Sequence, residues 1–262
     1  MRVSLNAGSE ATANVRFTAD KHSLTSSARS TKRWDGQERP DGKEKRMSKY
    51  NYILFDLDGT LTDSGEGIIN SVVHALEKRD IAVPDRAALR VFVGPPLLDS
   101  FAQYYGMDRE EGMKAIADYR EYFTDRGWKE NSVYPGIPQV LEQLKNAGAH
   151  LYIATSKPEP FAKKIAEYFD LAKYFDGIVG STLDEKITKK SQVIDLVLAQ
   201  IGEDYHGKTV MVGDREHDVN GAKENGLPCI GVLYGYGSRE ELEEAGAAGI
   251  SETVEGLLTE LL

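Results

Sequence analysis

Tyr52-Ile53-Leu54-Phe55-Asp56-Leu57-Asp58-Gly59-Thr60-Leu61 is the stretch on which the fold turns. Tyr52 to Phe55 form an unbroken apolar and aromatic run. Such a run reads as a short strand buried on both faces, because a strand with one wet face would alternate. Asp-Leu-Asp-Gly-Thr directly after it reads as a tight turn at the strand's carboxyl end. Further β-prone runs stand at 150–154 (HLYIA), 177–179 (GIV), 209–212 (TVMV) and Cys229–Val232 (CIGV). Between them lie helical stripes: Ile137, Val140, Leu141 and Leu144 fall at i, i+3, i+4 and i+7, and Val193, Leu196, Val197 and Ile201 extend a second one. Asn146-Ala147-Gly148 and Asn225-Gly226 predict helix ends. Short strands alternating with helices make an α/β chain with a parallel sheet.

The alternation breaks once. From the end of the first strand to Ile137, some 70 residues contain no strand pattern, while 67–77 and 109–123 read as helices and Val93-Gly94-Pro95-Pro96 as a loop. A structureless loop of that length is foreign to a compact domain, so 65–134 reads as an inserted helical subdomain that leaves through Tyr134-Pro135-Gly136. Residues 48–64 and 135–262 then form the core.

Composition bounds the partners. The chain has 262 residues and a formal charge of −10, divided unevenly: residues 1–47 carry +4 and residues 48–262 carry −14. Val3, Leu5, Val15, Phe17 and Leu24 are the only Val, Leu, Ile or Phe residues of the first 47, too few to offset the entropy of ordering. That tail is expected to be disordered and dispensable, with Met47 as the start of the folded chain. It has no apolar core of a secretory signal, and its acidic residues argue against a transit peptide. No run of about 18 apolar residues exists, so a membrane-spanning helix is not expected. The acidic body argues against nucleic-acid and anionic-membrane partners. The single cysteine, Cys229, allows neither an internal disulfide nor a Cys-based zinc site, reads as a small core residue and fits a cytoplasmic protein.

In open parallel sheets, functional groups collect at the carboxyl ends of strands. Those ends carry Asp56 and Asp58, then Thr155 and Ser156, then Asp214 with Asp218 close behind. Carboxylates brought so near each other repel unless a cation sits among them, and an all-oxygen donor set points to Mg²⁺. A buried aspartate beside such an ion can attack phosphorus, and a second one two residues on can serve as acid and then base. Gly59 lets the chain turn sharply and is expected to offer its N–H to a bound phosphate.

The run from Asp56 to Leu61 resembles the first motif of the haloacid dehalogenase-like superfamily. Thr155 is similar to the hydroxyl residue of its second motif, and Gly213-Asp214-Arg215-Glu216-His217-Asp218 to its acidic fourth motif. The resemblance covers 48–262 and is nearest to the phosphoglycolate-phosphatase-like members with a helical cap. It implies a Rossmann-like parallel core with an inserted α-helical cap, and a Mg²⁺-dependent phosphatase that hydrolyses a small phosphorylated metabolite through an aspartyl-phosphate. In this reading Asp56 is nucleophile and metal ligand, and Asp58 is acid/base with its carbonyl on the metal. Asp214 is the third ligand and Asp218 a nearby or water-mediated partner. Gly59, Thr155, Ser156 and a lysine hold the phosphoryl group. Lys186, Lys189 and Lys190 compete for that lysine role; Lys190 is favoured because it directly precedes the helix beginning Ser191-Gln192-Val193, with Lys189 second. Lys157 is either another phosphate contact or a solvated charge.

Several neighbours read more plainly. His217 is expected to be an exposed helix residue, Trp128, Tyr104 and Tyr105 packing of the insert, and Gly235-Tyr236-Gly237 a flexible turn near the site mouth. Residues 93–101 are expected to form the loop facing the nucleophile, with Arg90 close to it. Substrate alternatives are 2-phosphoglycolate and nucleoside 5′-monophosphates; the rival activities are 5′-nucleotidase, sugar-phosphate mutase and phosphotyrosine phosphatase. Outside enzymes, a binding module with a retired site is the remaining reading. Nothing in the sequence sets an oligomeric state.

Overall fold

A computed structural model describes residues 47–83 and 85–262. The expectations for the tail before Met47 lie outside the described residues. The chain starts in the middle of the sheet with β1 (Tyr52–Phe55), whose Ile53, Leu54 and Phe55 are all fully buried. Two residues each of β2 (Thr62–Asp63) and β3 (Ser132–Val133) pair antiparallel, Thr62 opposite Val133, at the base of the insert. The sequence showed no strand there, because a two-residue ribbon has no periodicity to read. Within the insert stand α1 (Gly65–Glu77), α2 (Leu97–Tyr105) and α3 (Arg109–Tyr122). The loop expected over 93–101 is helical from Leu97 onward, and Gly106 in the left-handed region ends that helix. Asp108 and Glu111 close a reciprocal cap at the start of α3. Phe92, Phe101, Ile116, Tyr119 and Phe123 are buried between these helices and the core.

After the insert the chain alternates: α4 (Ile137–Asn146), β4 (His150–Pro158), α5 (Glu159–Tyr168), β5 (Gly177–Ser181), α6 (Lys190–Ile201), β6 (Thr209–Gly213), α7 (Glu216–Glu224), β7 (Cys229–Val232), α8 (Arg239–Ala245), β8 (Gly249–Ser251) and α9 (Leu257–Leu261). The main sheet is parallel with order β5-β4-β1-β6-β7-β8. β8 escaped the sequence reading because three residues carry no pattern. Successive side chains of β1 face opposite ways. Ile53 and Phe55 join the cluster under α4, α5 and α9, and Leu54 joins the one under α6 and α7 that also takes Cys229. The chain moves outward from β1 through β4 to β5, then returns to β6 on β1's other side. That reversal opens a crevice at the carboxyl end of β1. Among the described residues no helix is long and apolar enough to cross a membrane.

Candidate active site

Strand register sets the site. Phe55 is level with Ile153 on one side and Val212 on the other, so Asp56 emerges beside Ala154 and Gly213, with Thr155 and Asp214 one step further. Asp56 is anchored by its N–H, which donates to the Val212 carbonyl at 2.9 Å. The turn that follows depends on Gly59, at φ +82°. A Cβ there would lie 2.2 Å from Asp214 Oδ2. The expected role of the Gly59 N–H needs correction: it donates to the Thr62 carbonyl at 2.8 Å, closing the turn, and is not free for a phosphate. The N–H groups of Leu57 and Asp58 have no backbone or side-chain acceptor among the described residues. Gly59→Ala combines a left-handed backbone, costing roughly 1–2 kcal/mol, with a clash that must displace Asp214. Thermal melting should fall by several degrees, at about 2–4 °C per kcal/mol in a chain of this size, and an unchanged midpoint would refute the close approach.

Behind this turn three carboxylates share a buried space. Ligand oxygens of Asp56, Asp214 and Asp218 lie within 4.8 Å of one another. Lys190 Nζ stands 2.7 Å from Asp56 Oδ1 and 2.8 Å from Asp218 Oδ1, and donates to the Ala154 carbonyl at 2.9 Å. Of the three candidate lysines it alone is buried; Lys186 and Lys189 are exposed. Burial pushes the Asp56 carboxyl up to about 6, against the pull of Lys190. Burial, with Asp218 and Asp56 nearby, holds Asp214 well above the usual carboxylate range. Burial would lower the Lys190 ammonium, but Asp218 and Asp56 outweigh it and raise it.

Asp58 stands apart from the acidic cluster. Its Oδ2 lies 2.9 Å from Lys157 Nζ, with both side chains buried, while its Oδ1 is buried without a partner. The reading of Lys157 as a solvated charge is corrected: it is an internal counter-charge to Asp58, also 4.6 Å above the Phe123 ring. β4 explains this, since it does not stop at Thr155 but runs on through an irregular step to Pro158, carrying Lys157 inward. Thr155 is buried and its Oγ1 accepts the Lys157 N–H at 3.2 Å, which leaves the hydroxyl proton free to donate; Ser156 is half-buried beside it. Four buried carboxylates face two buried ammoniums, so full ionisation leaves two negative charges uncompensated unless a cation joins them. A hard divalent cation among oxygen donors fits that deficit.

Asp214 is fully buried and doubly held: Thr60 Oγ1 donates to Oδ1 at 3.3 Å and the Tyr236 N–H to Oδ2 at 2.8 Å. Gly235-Tyr236-Gly237 is therefore no flexible turn. A Cβ on Gly237 would lie 1.9 Å from the Asp214 carbonyl oxygen, and the Tyr236 hydroxyl accepts the Gly65 N–H at 2.7 Å. Asp218 packs over Gly213 and accepts the Arg215 N–H at 3.1 Å.

Beside Asp58 lies a chamber of about 50 Å³, walled by Phe92, Pro95, Tyr119, Phe123 and Phe161 and edged by Lys157, Arg120 and Glu185. Gly94 to Leu97 line it, so part of 93–101 does meet the site. Arg90 does not; it lies over the Tyr236 ring at 5.5 Å. A polar opening of about 300 Å³ between Ser100, Ser156, Lys189 and His217 shares the Pro95-Pro96 wall. His217 is half-buried there. Trp128 and Tyr105 pack as expected, while Tyr104 is 46% exposed. Arg120 and Glu185 left no signal in the sequence, because they meet only when the insert lies on the core.

The chain matches the family model described as haloacid dehalogenase-like hydrolase over residues 53–232. It is 48% identical over 194 residues to a Pseudomonas aeruginosa protein named 5′-nucleotidase, covering 74% of this chain and 87% of that one. A Mycobacterium tuberculosis protein named tyrosine-protein kinase PtkA is 39% identical over 212 residues, 78% of this chain and 72% of its own. Among solved structures, one titled a predicted phosphatase from Clostridium acetobutylicum superposes with a TM-score of 0.78 at 52% identity, covering 80% of this chain and 97% of that one. Sheet order, insert position and these similarities agree: the chain belongs to the haloacid dehalogenase-like hydrolases, and is a phosphatase among them.

Proposed function

We propose that this phosphatase hydrolyses a small phosphate monoester through an aspartyl-phosphate on Asp56. The observation that carries the reading is the pairing of Lys190 with both Asp56 and Asp218 at the carboxyl end of β1, beside an Asp58 with one free oxygen. Asp56 attacks phosphorus and the bond to the leaving oxygen breaks, while Asp58 Oδ1 gives that oxygen its proton. Asp58 then takes a proton from water as the water attacks phosphorus, the Asp56–phosphorus bond breaks, and inorganic phosphate leaves with both aspartates restored. Thr155, Ser156, Lys190 and the N–H groups of Leu57 and Asp58 hold the phosphoryl oxygens. Mg²⁺, held by Asp56, Asp214 and the Asp58 carbonyl with Asp218 beside them, would supply positive charge to the phosphoryl oxygens. The insert, residues 65–134, acts as a cap that excludes bulk water.

Of the two substrate classes weighed, 2-phosphoglycolate and nucleoside 5′-monophosphates, the second is supported by the similarity to a protein named 5′-nucleotidase and by the aromatic chamber walls. At about 50 Å³ the chamber is small beside the several hundred Å³ usual for such ligands, so admitting a nucleoside calls for movement of the cap. Water is the acceptor we prefer over kinase or mutase activity, in line with the similarity to proteins named as phosphatases. A single buried, unpaired cysteine suits the cytoplasmic location we assign.

Asp58→Asn should lower kcat for phosphate release at least ~100-fold, the usual scale of general acid–base assistance. Unchanged turnover would remove Asp58 from the reaction.

A further inference from the structure

The leaving group must sit next to Asp58, hence in the aromatic chamber. The charges that edge that chamber cancel in pairs. Lys157 is committed to Asp58 at 2.9 Å. Arg120, from α3, directs Nη2 to Glu185 Oε1 at 2.5 Å and donates from Nη1 to the Leu183 carbonyl at 2.9 Å. Glu185 is almost wholly buried, its side chain 7% exposed.

Its position is enforced. Glu185 adopts φ +56°, a left-handed conformation that costs a glutamate on the order of 1 kcal/mol and persists only where surroundings impose it. The loop carrying it is tied across its base, with the Thr182 N–H donating to the Ile187 carbonyl at 3.0 Å and Thr182 Oγ1 accepting the Ile187 N–H at 3.1 Å. A solvated surface pair would need none of this.

We infer that the Arg120–Glu185 pair is a specificity element, which neutralises the leaving-group chamber so that it takes uncharged leaving groups and rejects carboxylate-bearing ones. The inference rests on the phosphatase reading above and deepens it. An anionic leaving group entering the chamber finds no uncommitted cation and faces the Glu185 carboxylate. A neutral alcohol, whether small or the sugar end of a nucleoside, meets aromatic walls and no opposing charge. The same pair joins the insert to the core, so the chamber is neutral only while that contact holds.

The test uses the full-length protein and two esters of matched size, 2-hydroxyethyl phosphate and 2-phosphoglycolate, which differ by one carboxylate. Wild type should favour the neutral ester in kcat/KM. Glu185→Gln frees the Arg120 guanidinium and should shift the ratio toward 2-phosphoglycolate by about tenfold or more, chiefly through KM, the scale of one close charge pair. Arg120→Gln leaves Glu185 uncompensated and should shift it the opposite way. Opposed signs are the signature, since loss of a merely structural latch would move both variants alike. A wild-type preference for 2-phosphoglycolate overturns the inference, and so does an unchanged ratio in both variants. If wild type releases phosphate from neither ester nor from any nucleoside monophosphate, the phosphatase reading itself falls and takes this one with it.

Discussion

Asp56→Asn is expected to abolish phosphate release from every substrate the wild type accepts. An amide is nearly the shape of the carboxylate but cannot form the phosphoryl bond, and loss of a covalent nucleophile costs on the order of 10⁴-fold or more. The same substitution should leave the fold intact and, without metal, strengthen it. The Asp56 carboxyl is held at about 6 in the folded chain against 3.8 ordinarily, chiefly by burial. Folding therefore binds its proton more tightly than the unfolded chain does. That contribution is fully present below about pH 4 and is lost as the pH rises through 6. Above that window the ionised group opposes folding, by up to about 3 kcal/mol on the conversion of 1.36 kcal/mol per pH unit. In chelator at pH 7–8, Asp56→Asn should melt above wild type, and added Mg²⁺ should raise wild type more than the variant. Retained activity overturns the nucleophile; a variant that melts lower in chelator overturns the electrostatic account.

Lys190→Met carries the largest expected loss of stability. Lys190 is the cation between Asp56 and Asp218, and all three groups are buried. Removing one side of a buried ion pair leaves charge stranded in a low dielectric, typically at 3–5 kcal/mol. In a chain of this length that is a fall of about 10 °C or more in melting temperature. Because a divalent cation answers the same deficit, Mg²⁺ should restore part of the loss in melting temperature. Phosphate release should fall about 10²–10³-fold, as when a charge-stabilising donor is removed elsewhere. Lys189→Met, one residue away but exposed, should stay within ±0.5 kcal/mol. If Lys189→Met were the damaging change and Lys190→Met were tolerated, the ion-pair geometry would have no bearing on function.

How much of this was readable beforehand depends on which interactions are local. β1 and the Asp-Leu-Asp-Gly-Thr turn were legible because a doubly buried strand and a glycine turn are written in adjacent residues. That Lys190 and not Lys189 turns inward is legible too, since one position of slip at a helix start decides which side chain faces the sheet. The function of the Gly59 N–H was misjudged. A turn's free donors depend on which carbonyl folds back upon it, and Thr62 does so only in three dimensions. The place of Lys157 is not legible in sequence, because nothing in its neighbours says that β4 continues past Thr155. Gly235 to Gly237 looked like a flexible turn, whereas those glycines are small because Asp214 lies against them.

The sequence by itself determined the parallel α/β core, the helical insert and the carboxylates and hydroxyl at the strand ends. These follow from periodicity, turn chemistry and the rule that strand ends carry function, all expressed over a few contiguous residues. Tertiary structure alone decided which groups neutralise one another: Lys157 with Asp58, Lys190 with Asp56 and Asp218, and Arg120 with Glu185. Coulomb energy depends on separation and on the dielectric around each pair. Neither quantity exists until segments far apart in sequence are folded against each other and water is removed from between them.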